Sequence, residues 1–140
     1  MSDTRKRYSG GCLCGALRYE ARGEPSAAGY CCCEDCRKAS GSGFIPFMGF
    51  AASDFSVTGE TRQFRSPAAR GGEAVRNFCP TCGSLVFGGR AGIAIEHTIY
   101  AGTLDDPSQF VPQLAIFTRD RAQWTLLPDG LTVYDRLPGL

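Results

Sequence analysis

Apolar and polar residues alternate in short runs along this chain. Leu17 and Tyr19 share one face of a predicted strand, and Arg18 and Glu20 share the other. Phe44 to Phe50 is an apolar run in which Pro46 suits an edge strand or a bulge. Glu60 to Arg65 reads as a mostly polar strand. Ser84 to Phe87 and Ile93 to Tyr100 read as strands parted by a Gly88-Gly89 turn, the second with Ile93, Ile95, His97 and Ile99 on one face. Leu114 to Phe117 predicts a further strand. Trp124, Leu126, Leu127, Leu131, Val133 and Tyr134 predict core and a closing strand around Pro128-Asp129-Gly130. Arg22 to Gly29 reads as a loop, Ser53 to Gly59 as turn-like, and Ser66 to Gly72 as a mobile rim. Only Cys33 to Ser40 predicts a helical turn, stopped by Gly41-Ser42-Gly43.

These elements predict a mainly β fold of short strands with at most short helices. With 18 Gly and 8 Pro, turns are frequent enough to keep each strand short. The 140 residues suit one domain, 1–140, with residues 1–9 as a flexible lead. A formal net charge of +1 provides no field for recruiting nucleic acid or an anionic membrane. The chain has no secretory signal pattern and no run approaching the roughly 20 apolar residues of a membrane span. The expected location is therefore the cytoplasm.

The 8 cysteines change the picture. In a reducing compartment, short-spaced cysteines predict metal ligands rather than disulfides. Cys12-Leu13-Cys14, flanked by glycines, and Cys79-Pro80-Thr81-Cys82-Gly83 together supply four thiolates, a closed structural zinc set. Cys31, Cys33 and Cys36 supply three, which leaves a tetrahedral Zn2+ one open position of the kind catalytic sites keep. Alternation along Cys31-Cys32-Cys33 turns Cys32 away from its neighbours, and a helical turn brings Cys36 back beside Cys33. Arg37 and Lys38 then stand next to that metal, as substrate contacts or as a solvated basic pair. His97, the single histidine, reads as a hydrogen-bonded core residue in preference to a ligand. Asp105 and Asp106 read as a capped turn before Pro107 in preference to an acid-base pair.

With these motifs the sequence resembles the glutathione-dependent formaldehyde-activating enzyme family, also called the centromere protein V type. The resemblance runs from Gly11-Cys12-Leu13-Cys14-Gly15 through Cys31 to Lys38 and Cys79 to Gly83. It continues to Ala101 to Pro107, Trp124 and Asp129-Gly130-Leu131. It implies a tent-like fold of small twisted sheets, a structural zinc on Cys12, Cys14, Cys79 and Cys82, and a second on Cys31, Cys33 and Cys36. It also implies carbon-sulfur lyase chemistry that joins a thiol such as glutathione to formaldehyde or another small aldehyde. Two positions depart from the family pattern: Cys32 stands where histidine is common, and Ala115 stands where a Pro-x-x-His motif beginning at Pro112 would have histidine. If Cys32 instead closed the second set, the chain would be a non-catalytic zinc module for binding a partner.

Overall fold

In the computed structural model, which describes residues 3–139, the alternating segments pair into two twisted sheets joined by short turns. In chain order the elements are β1 (Arg7–Gly11), β2 (Arg18–Arg22), β3 (Ala27–Cys31), α1 (Glu34–Ser40), β4 (Ile45–Ala51), β5 (Phe55–Thr58), β6 (Arg62–Pro67), β7 (Glu73–Phe78), β8 (Leu85–Gly88), β9 (Glu96–Tyr100), β10 (Leu114–Ile116) and β11 (Thr132–Val133). The smaller sheet runs β1-β2-β5, and the larger runs β11-β10-β3-β4-β9-β8-β7-β6. Neighbours are antiparallel except at one end, where β10 lies parallel to both β3 and β11. The fold is thus mainly β, a small domain with α1 as the single α-helix among the described residues.

The two faces of the larger sheet have different tasks. Met48 and Phe50 of β4, Val86 and Phe87 of β8 and Ile99 of β9 pack with Tyr8 and Tyr19 from the smaller sheet, and with Leu17 just before β2, to form the main core. The intervening positions point the other way, as the period of two requires. There Cys31, Ile45, Phe47, Tyr100 and Ile116 gather with Cys36 in a second cluster. The same alternation that builds the core therefore presents a separate, partly apolar face at which cysteines collect.

Several expectations are corrected. Arg7 to Ser9 belong to β1 and Tyr8 is buried, so the flexible lead does not extend to residue 9; residues 1–2 lie outside the described residues. Ala27 to Gly29 belong to β3, not to a loop, and Phe55–Thr58 pairs with β2 where a turn was expected. β6 includes Ser66 and Pro67, leaving Ala68 to Gly72 as the hairpin tip. β4 lies between β3 and β9, yet Pro46 is accommodated because the pairing with β9 begins one residue later, at Phe47. Ile93 and Ile95 are exposed because a turn closed by Arg90 carbonyl bonds runs to Ala94, so alternation starts only at Glu96. Trp124, Leu126 and Val133 are exposed too: the first two precede β11 in a segment without a strand, and Val133 lies on β11, the outer strand of the larger sheet.

Candidate metal centre

The four-cysteine set lies where the two sheets meet. Cys12 and Cys14 sit in the β1–β2 turn of the small sheet, and Cys79 and Cys82 sit in the β7–β8 turn of the large one. Gly83, at φ +77°, gives the tight return after Cys82, and its amide donates to the Cys79 carbonyl at 2.8 Å. All four sulfurs lie within 4.8 Å of one another, with Cys12 to Cys14 at 3.6 Å and Cys14 to Cys79 at 3.7 Å. Tetrahedral zinc with bonds of about 2.3 Å needs sulfurs about 3.8 Å apart. Backbone amides of Leu17 and Thr81 donate to the Cys12 and Cys79 sulfurs at 3.2 and 3.4 Å. The donor set fits a thiolate-bound metal.

The second set is local. Cys31 ends β3, Cys33 caps α1, and Cys36 lies in the first turn of that helix. Cys33 Sγ accepts the Cys36 amide at 3.3 Å, and Gly41 in the left-handed conformation ends the helix. The Cys31 and Cys33 sulfurs are 3.5 Å apart, and all three sulfurs fall within 4.8 Å of one another. Cys32 does not join them. Its side chain is wholly buried outside the cluster of three sulfurs, and its amide donates to the Ile116 carbonyl at 3.0 Å.

The electrostatics of the trio favour a cation. Hydrogen bonds from the Cys31 and Cys36 thiols hold Cys33 far below the ordinary thiol range. The same contacts with Cys33 and Cys36, reinforced by burial, push Cys31 far up. Three thiolates this close repel one another, so ionising all three requires a positive partner in their midst. Three thiolates at tetrahedral spacing suit a divalent metal as well as the four do.

Two cavities flank the trio. One of about 490 Å³ is lined by Cys31, Cys33, Cys36, Arg70, Arg76 and Phe117, among others. The other, about 350 Å³, is lined by Cys31, Cys36, Phe47, Thr98, Tyr100 and again Arg76, among others. Burial raises the Tyr100 phenol well above its ordinary value, so it stays protonated as a hydrogen-bond donor. Phe117 holds a left-handed φ of +53° at the wall of the larger cavity, a conformation that costs a bulky residue energy and occurs preferentially at functional sites.

The sequence-predicted basic pair is placed differently. Lys38 pairs with Glu34 one turn back at 2.9 Å and lines an adjoining cavity of about 420 Å³ with Arg76, Phe64 and Leu85. Arg37 lines none of these three cavities. Arg76, which sequence reasoning missed, is buried in β7, 40 residues from Cys36 in the chain, and its Nη2 lies 3.7 Å from Cys36 Sγ. Its only sequence signal is its position three residues before Cys79, which does not reveal that β7 runs past α1. His97 is a core residue: it stacks on Phe55 at 4.7 Å, and its Nδ1 lies 3.2 Å from the Gly88 carbonyl. Asp106 caps its turn through the Ser108 amide at 3.1 Å, and Asp105 pairs with Arg18.

Fold and sulfur geometry define a class: a small β domain whose two cysteine sets, one of four and one of three, have the spacing to hold metal ions. The family model described as glutathione-dependent formaldehyde-activating enzyme matches residues 7–120, and the chain belongs to that family. A crystal structure of a Rhodobacter sphaeroides protein superposes with a TM-score of 0.54 at 24% identity, over 74% of this chain and 97% of that one. At that identity the likeness concerns the fold. No curated protein matches the sequence. Among the described residues, no helix is long and apolar enough to cross a membrane.

Proposed function

We propose that this protein is a zinc-dependent carbon-sulfur lyase-type enzyme that joins a small thiol, glutathione or a similar compound, to formaldehyde or another small aldehyde. The observation that carries the reading is a set of three cysteine sulfurs, Cys31 and Cys36 buried and Cys33 half-buried, joined by no fourth ligating side chain among the described residues and opening onto two cavities. Zinc bound there supplies an open coordination position and favours the thiolate form of a thiol. In the reaction the thiol sulfur bonds to the carbonyl carbon, the C=O π pair moves to oxygen, and the proton lost by sulfur ends on that oxygen. No redox cofactor is required.

The chain's own residues supply binding and orientation. Arg70 lines the larger cavity and suits a carboxylate of a glutathione-like thiol. Lys38 reaches the same region from the adjoining cavity, whereas Arg37 receives no contact in this scheme. Phe117 and Leu137 give this cavity apolar walls. The protonated Tyr100 phenol, in the second cavity, is suited to donate a hydrogen bond to the carbonyl oxygen.

Cobalt substitution tests the proposal. Two metals per chain are expected, and glutathione should alter the absorption of only the cobalt at the three-cysteine site. A spectrum indifferent to glutathione and to other small thiols would leave a closed zinc module for partner binding as the better reading.

A further inference from the structure

We propose that Arg76 is a positioning residue that neutralises the three-cysteine centre, holding Cys36 as a thiolate ligand and permitting an anionic thiol to join it. The inference rests on the reading of this site as one that binds a metal and a thiol. Three thiolates around a divalent ion carry a net charge of −1, and an incoming thiolate makes it −2. At the four-cysteine set the same −2 is tolerable, because Cys14 is exposed to water and backbone amides donate to the sulfurs. Cys31 and Cys36 are each 9% exposed, and the backbone amide that donates within the trio goes to Cys33, so neither of these two sulfurs has one. A fixed cation is needed beside them, and among the described residues no other side-chain cation donates a hydrogen bond to a cysteine sulfur.

Arg76 has the matching need. It is itself only 9% exposed, its Nη1 has a weak partner in Ser66 Oγ at 3.5 Å, and its Nε has none. Among the described residues no carboxylate lies within 4.0 Å of it. A buried guanidinium without an anion is costly, and the sulfur of Cys36 is the anionic group in contact. Its placement in the walls of both cavities flanking the trio puts the charge beside any thiol or carbonyl that reaches the metal.

The test compares Arg76→Met, which keeps an unbranched apolar stem and removes the charge, and Arg76→Lys, which keeps the charge, with the parent protein. Zinc is withdrawn with a chromophoric chelator, and glutathione is titrated into the cobalt form. In Arg76→Met, affinity for the second metal and for glutathione should each fall about tenfold or more, the cobalt-sulfur absorption should shift, and the first metal should stay. Arg76→Lys should recover most of both affinities. Parent-like affinities in Arg76→Met overturn the inference, as does an equal loss in both variants. If Arg76→Met does not fold, Arg76→Lys and the parent decide: a lysine form that folds, keeps the first metal and binds the second tenfold more weakly than the parent also overturns it. Should the parent itself bind one metal only, the underlying functional reading fails instead.

Discussion

Cys31 and Cys32 are adjacent in sequence, yet only the first belongs to a cysteine cluster. Cys31 joins Cys33 and Cys36, whereas Cys32 is fully enclosed, and burial raises its thiol pKa. Its reactivity should accordingly be low: iodoacetamide is expected to modify Cys32 only on unfolding, as peptide mapping of native and denatured protein would reveal. Cys32→Ser places a hydroxyl in that enclosure and should cost about 1–3 kcal/mol of stability while both metals remain bound. Loss of the second metal in Cys32→Ser would mean that this cysteine is a ligand. The period of two led to the expectation that Cys32 stands apart from the trio, and the cysteine spacing grouped the same four and three residues whose sulfurs lie together. Arg76 was not legible in the sequence, since its meeting with Cys36 depends on how β7 passes α1, and local pattern carries no record of that crossing.

Between elements, the parallel contact of β3 with β10 fixes where Cys31 ends. Gly29 pairs with Leu114 in that contact, and a Cβ there would come within 2.1 Å of the Leu114 carbonyl oxygen. Gly29→Ala should therefore lower stability by about 1–3 kcal/mol in urea titrations, and it should weaken the second metal by displacing the strand that carries Cys31. Parent-like metal affinity in that variant would show that the trio is positioned by α1 alone. The sequence pattern placed Leu114 to Phe117 in a strand but left Gly29 in a loop, because three small residues before Tyr30 give no alternation to detect. Ile93 and Ile95 misled in the opposite sense: their spacing mimics a strand, whereas the backbone is still turning at Ala94. Patterning thus identified strands whose two faces differ in polarity, and failed where close backbone approach or a turn determined the conformation.

For the whole molecule, the four-cysteine set joins two sheets and the trio joins only a strand end to a helix, so their losses should differ. A structural zinc contributes on the order of 10 kcal/mol to folding, and Cys79→Ser should accordingly leave the domain largely unfolded at 25 °C by circular dichroism. Cys36→Ser should stay folded and retain one metal by elemental analysis. Equal thermal stability of the two variants would remove this division of labour. The spacing of the ligands along the chain also sets an order in time. A ribosome finishes the trio at Cys36 but must reach Cys82 to finish the other set, a delay of roughly 2–9 s at about 5–20 residues per second. Throughout that interval Cys12 and Cys14 are a ligand pair without their partners, and a nascent trio holding zinc has a vacant coordination position to offer one of them. Refolding with zinc present from the start should then show a slow phase of ligand exchange. Adding the metal only after the strands have paired should remove it, and stopped-flow absorption with cobalt would follow both courses.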